Sequence, residues 1–165
     1  MPAIAIRDLR PHELGFHRQM LWEAVYLPPE EKALLSRDIL ETPEVRRYIE
    51  NWGRPGDRAR VAEDSTSGQL LGCAWGRLFT TDNPGYGFVD ETTPELSIAV
   101  IEGNRGQGIG GALLRDLNAV YASEGIHRVS LSVATANPAH RLYERIGYRT
   151  VHQDETTRIM VFGGF

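Results

Sequence analysis

The spacing of apolar and polar positions changes several times along the chain, and each change marks an element. Residues 3–7 (AIAIR) alternate as a short strand. From Pro11 to Tyr26 the apolar spacing turns helical, with Leu14, Met20, Leu21 and Val25 among several aromatics, until Pro28 and Pro29 end it. The charged stretch from Pro29 to Trp52 predicts one or two helical pieces, Thr42 and Pro43 serving as N-cap and first helical residue of the second. Gly53 to Gly56 breaks the pattern.

Strand signals follow. ARVAED runs into the turn STSG and on into QLLGCAWGRLF, which predicts a hairpin. Thr81 to Phe88 (TDNPGYGF) reads as loop, and ELSIAVI, residues 95–101, as a further strand. After a glycine-rich turn, Ile109, Ala112, Leu113, Leu117, Val120 and Tyr121 form one apolar stripe of a helix, with Gly125 as its C-cap. RVSLSVA, residues 128–134, is another strand. A short helix then opens at Asn137 as N-cap and Pro138 as first residue. Ala139, Leu142, Tyr143 and Ile146 make its apolar face, and Gly147 ends it. TRIMVF, residues 157–162, is the last strand. The order β-α-α-β-β-β-α-β-α-β-β predicts one α+β, mixed-sheet domain over residues 1–165.

Composition adds boundaries rather than identity. The chain has 165 residues, 41% hydrophobic, with a formal net charge of -4. It carries no basic excess to neutralise phosphates, so no nucleic-acid partner is expected. Cys73 is the one cysteine; in LLGCAW it reads as a small buried hydrophobe. The absence of an intrachain disulfide fits a reducing compartment. No apolar run approaches the roughly 20 residues of a membrane span, and MPAIAIRDLRPHEL lacks the apolar region of a signal peptide. The expectation is a soluble, cytoplasmic protein without a membrane partner.

The chemistry concentrates in NRGQGIGGALL. Gly106, Gly108 and Gly111 fit the dinucleotide pattern G-x-G-x-x-G, while Arg105, Gly108 and Gly110 fit [RQ]-x-x-G-x-G. Both patterns bring backbone amides and a helix N-terminus to a pyrophosphate. A dinucleotide fold, however, wants its glycines directly after a strand and an acidic residue about 20 positions on. Here Glu102, Gly103 and Asn104 lengthen the loop, and RVSLSVATAN carries no such acid. No Lys-Ser or Lys-Thr follows the glycines, which removes the Walker reading. A bland strand-to-helix turn is the other alternative, yet four glycines in six residues each cost conformational entropy.

ELSIAV, RGQGIGGALL and SLSVATANPAHRLYERIGY together resemble the GNAT superfamily of N-acetyltransferases, and the likeness extends over nearly the whole chain. The resemblance implies a twisted, mostly antiparallel sheet with central, splayed parallel strands, flanked by about four helices. It implies acetyl-CoA, as co-substrate, wedged between the strands ending at Val100 and beginning near Val129. Ile98, Ala99 and Val100 would then offer backbone groups to the pantetheine and acetyl carbonyl. Gly106, Gln107, Gly108, Ile109, Gly110 and Gly111 would hold the pyrophosphate, with Arg105 beside them. Asn137 would bond the cofactor arm, and Tyr143 would stand near the sulfur. No metal is implied.

Amine acetylation needs a neutral amine, a stabilised oxyanion and a protonated leaving thiolate. Tyr143 is the candidate acid; its competing reading is core packing on the helix's apolar face. Members that acetylate protein N-termini commonly carry a Glu on the strand after the central helix. This chain has Ser130 and Ser132 there. Glu95, which alternates onto one strand face with Ser97 and Ala99, is the candidate base; a solvated or paired strand-end Glu is its competing reading. Trp22, Tyr26, Trp52, Trp75, Tyr86 and Phe88 form a pool for an acceptor cleft. The expected partner is a small-molecule or peptide amine, with a homodimer implied by the resemblance. A non-catalytic acyl-CoA sensor or interaction module on the same fold is the alternative function.

Overall fold

The computed structural model describes residues 3–164. Seven strands form one sheet in the order β1-β2-β3-β4-β5-β7-β6. They are β1 (Ile4–Asp8), β2 (Arg58–Asp64), β3 (Leu70–Arg77), β4 (Glu95–Val100), β5 (Val129–Ala134), β6 (Arg149–Gln153) and β7 (Thr157–Phe162). All neighbours run antiparallel except β4 and β5. The mixed α+β class and the central parallel pair agree with expectation.

Five helices flank the sheet among the described residues: α1 (Leu14–Ala24), α2 (Pro29–Leu34), α3 (Pro43–Arg46), α4 (Ile109–Ser123) and α5 (His140–Ile146). The segment read as one or two pieces breaks into three, because a 3-10 stretch, Arg37–Glu41, separates α2 from α3. Leu35 and Ser36 are extended there, and the Ser36 hydroxyl caps the amide of Asp38. Thr42 is the N-cap of α3 by conformation, with Pro43 first in the helix. Its hydroxyl, however, donates backward to the Ile39 carbonyl at 2.7 Å. α5 begins at His140, three residues later than Asn137, because a turn intervenes. Strand β6 is exposed along its whole length, so no apolar alternation marks it in the sequence.

Side-chain alternation gives the sheet two different faces. On one, the predicted α4 stripe is buried at Ile109, Leu113, Leu117 and Tyr121, packing with Ala74, Leu96 and Leu131. Each such large side chain contributes about 1.5–3 kcal/mol relative to leaving it in water. The other face joins Met20 and Leu21 of α1 to Val61, Cys73, Trp75 and Ala99. Cys73 is fully buried there, which fits the small-hydrophobe reading.

The β4–β5 ladder is very short. Glu95 opposite Ser130 is its one register pair, and the Ser130 amide donates to the Pro94 carbonyl at 2.9 Å. Strand β5 spends its other edge on β7 over all six residues. Beyond Glu95 the two parallel strands separate, opening a gap in the middle of the sheet.

Candidate active site

Backbone parity decides what faces that gap. Leu96, Ile98 and Val100 share one edge of β4, since peptide groups alternate along a strand. Ala99 sits opposite Cys73 of β3, and the Ile101 amide donates to Leu71. Ile98 and Val100 therefore turn their backbone groups toward the gap, while Ala99 turns its own toward β3. The Val100 carbonyl already accepts Arg105 Nε at 3.0 Å.

The glycine loop follows at the wide end. Gly106 and Gly108 have φ of 77° and 82°, the left-handed region that glycine enters without strain. A Cβ at either would meet nothing within 4 Å, so conformation, not crowding, calls for glycine. Gly108 is the N-cap of α4. Among the described residues, none of the amides of residues 105–111 donates a hydrogen bond. A run of unpaired amides at the N-terminus of a 15-residue helix is a natural anion cradle. Arg105 is held beside it by Glu23 of α1, with Nη2 3.0 Å from Oε2. The Gln107 side-chain oxygen is buried without a partner.

Asn137 lies after β5, and its Oδ1 accepts the Ala139 amide at 2.9 Å. That is the local capping job expected of it, and it leaves the side-chain nitrogen uncommitted. Tyr143, on α5, is 8% exposed, with its ring 6.0 Å from that of Tyr148. Its hydroxyl makes no hydrogen bond to a described residue. Burial pushes that hydroxyl up to about 12, so it stays protonated through the neutral range.

At the narrow end stands Glu95. It is 3% exposed, so it is not a solvated strand-end residue. Its side chain lies on the α1 face of the sheet, as does that of Ser130. The Tyr48 hydroxyl donates to Glu95 Oε2 at 2.5 Å and in turn accepts the Tyr86 amide at 2.8 Å. Oε1 is buried with no partner. Burial pushes the Glu95 carboxyl up to about 7; the Tyr48 hydroxyl, the nearby Gly87 amide and the Arg47 cation pull the other way without prevailing.

The loop read as TDNPGYGF forms the roof over this carboxyl. A Cβ at Gly85 would stand 2.1 Å from Glu95 Oε1, so only glycine lets the loop come down this far. The Ser130 hydroxyl donates to the Gly87 carbonyl at 2.8 Å, tying the roof to β5.

The sequence pattern singled out Glu95 but not its neighbours Tyr48 and Arg47, which sit at the end of the charged helical stretch. Of the six aromatics pooled for an acceptor cleft, Trp52 and Trp75 both pack edge-on against the buried His17. Trp75 is fully buried, with its indole donating to the Tyr48 carbonyl at 3.1 Å. Of the aromatic pool, Tyr86 and Tyr26 are the exposed members, and the Tyr26 hydroxyl reaches the Ala136 carbonyl beyond β5. No described helix is long and apolar enough to cross a membrane.

The overall fold is shared with solved N-acetyltransferase structures. The profile of the acetyltransferase (GNAT) family matches residues 19–148, and the chain belongs to that family. A phosphinothricin N-acetyltransferase of Streptomyces coelicolor is 36% identical over 113 residues, 67% of this chain. The match spans 63% of that relative's length. An N-acetyltransferase structure from Staphylococcus aureus Mu50 superposes with a TM-score of 0.69 at 18% identity, covering 98% of each chain. A spermidine N-acetyltransferase SpeG chimera from Vibrio cholerae and hSSAT gives 0.64 at 23% identity, covering 97% of this chain and 95% of its own. These two structural likenesses speak for the fold.

Proposed function

We propose that the protein transfers an acetyl group from acetyl-CoA to a primary amine of a small molecule or peptide, by direct attack in a ternary complex. One observation carries the reading. The gap between β4 and β5 has the unpaired amide cradle at one end and a buried carboxyl, raised to about 7, at the other. Family membership and the S. coelicolor relative support it.

The residues present fit acetyl-CoA. The amides of residues 105–111 would hold its pyrophosphate, and Arg105 keeps Nη1 free for phosphate while Nε and Nη2 remain on Val100 and Glu23. Backbone groups of Ile98 and Val100, with Ala99 between them, would line the pantetheine and polarise the acetyl carbonyl. The uncommitted nitrogen of Asn137 would bond the cofactor arm. Bound there, acetyl-CoA supplies an activated thioester.

Glu95 is the base in this reading. A carboxyl near 7 is half ionised at neutral pH and strong enough to take an amine proton, directly or through water. The neutral amine nitrogen then bonds to the acetyl carbon, the carbon–sulfur bond breaks, the thiolate takes a proton from the Tyr143 hydroxyl, and the proton shed by the acetylated nitrogen restores that hydroxyl through water. Cys73 has no part in it: burial pushes its thiol far up, and no covalent acetyl-enzyme forms there.

Calorimetric titration with acetyl-CoA, followed by thiol release over a broad amine panel, tests the reading. Micromolar binding and amine-dependent release are expected. Binding without release from any amine would favour the non-catalytic sensor, and absence of binding would remove the cofactor assignment. Tyr143→Phe should lower kcat about 10²-fold or more with cofactor affinity unchanged, measured by steady-state rates and titration.

A further inference from the structure

We propose that Arg47 binds an anionic group of the acceptor, so that the amine acetylated here is an amino acid or a close analogue carrying an oxyanion. This rests on the transferase reading above and names the substrate class of the same site.

Arg47 directly follows α3. It lies 5.7 Å from the Tyr48 ring and 4.9 Å from the Tyr86 ring, measured from the guanidinium carbon. Among the described residues its guanidinium makes no hydrogen bond and no ion pair, and Nε is enclosed without an acceptor. The neighbouring Arg46, by contrast, pairs with Glu50 at 2.9 Å on the surface. An enclosed donor with no hydrogen-bond partner is costly, and a half-buried cation that feels the Glu95 carboxyl without touching it has its fork open to an anion.

The setting also gives this cation a direction. Tyr48 joins it to the reaction centre, because the same side chain lies beside Arg47 and donates to Glu95. Tyr86 flanks the guanidinium and is 56% exposed, so the pair meets solvent at the roof of the site. Stacking on aromatic rings fixes the plane of a guanidinium, whose fork matches a carboxylate in two parallel hydrogen bonds. Cation and base then form a complementary pair: Glu95 receives the ammonium, Arg47 the anion. An acceptor with a second ammonium in place of the anion would bring like charges together.

The test compares wild type with Arg47→Gln, Arg47→Lys and the surface control Arg46→Gln. Substrates are L-methionine, L-phenylalanine and L-glutamate, each beside its α-amide, with spermidine as the polycation. The readout is kcat/KM from thiol release, taken as the ratio of acid to amide. Wild type should favour the acids over the amides and over spermidine. Arg47→Gln should cut the acid-to-amide ratio about 10- to 100-fold, mostly through KM, Arg47→Lys should restore part of it, and Arg46→Gln should leave it alone. A wild type that prefers amides or spermidine overturns the proposal. So does an Arg47→Gln enzyme that loses both members of each pair equally, as a structural role would cause. Should acetyl-CoA bind while no amine is acetylated, the transferase reading fails separately. Thermal protection of the CoA-loaded protein by the same amino acids then decides: protection abolished by Arg47→Gln upholds the anion site, and absence of protection overturns it.

Discussion

Two carboxylates are buried on the same side of this molecule, and they are treated in opposite ways. Asp57 receives Arg77 in a two-pronged pair at 2.9 and 2.8 Å, and Oδ2 also accepts the amides of Gly53 and Arg54. Arg77 spends its remaining nitrogen on the carbonyls of Arg47 and Glu50. Every charged atom is answered, and the pair pins the segment after α3 to β3. Glu95 is equally buried but has one hydrogen bond, from Tyr48, and one orphaned oxygen. Burial alone therefore does not mark chemistry. A satisfied carboxylate is a clamp; one with an unanswered oxygen beside a gap is poised to take a proton.

The contrast breaks most visibly if Glu95→Gln is made. Turnover should fall about 10²- to 10⁴-fold and the acidic limb of the rate–pH profile, with its midpoint near 7, should flatten, as read by initial rates between pH 5 and 9. Folding should survive, since an amide suits a buried site better than a charge. Arg77→Ala should do the reverse. Leaving Asp57 charged and unpaired should cost about 3–5 kcal/mol in denaturant unfolding. Tyr48→Phe sharpens the comparison, because it removes the hydrogen bond that favours the ionised carboxyl. The activity limb should move to higher pH while its plateau is largely kept.

The smallest effect lies in stability against pH. Glu95 ionises near 7 when folded and near 4.5 when unfolded. Between those values the unfolded chain holds fewer protons, so stability falls as pH rises. The loss should be on the order of 3 kcal/mol across that window, and Glu95→Gln should remove its share of the slope. Unfolding midpoints measured at pH 4.5 and 7.5 check the sign.

Much of the cradle was legible in the chain itself. Gly106, Gly108 and the α4 stripe lie within a few turns of one another, so local propensity and periodicity place them without help from elsewhere. The hairpin of β2 and β3 was readable for the same reason, since STSG closes it. Strand β6 could be ordered but not placed, because both of its faces meet water. Asn137 was legible as a cap, though the turn after it delays α5 until His140.

Glu95 was singled out by strand alternation, but its state was not. Tyr48 is 47 positions away from it, and the roof loop approaches only because Gly85 has no side chain. Likewise Arg77 and Asp57 pair across 20 positions. The sequence by itself determined most of the elements, the family motifs and the glycine-rich turn, all of which depend on neighbours in the chain. Only the tertiary structure decided which carboxylate is neutralised and which is left poised. A pKa is set by burial and by charges in space, and those partners come from segments that meet only when the sheet has formed.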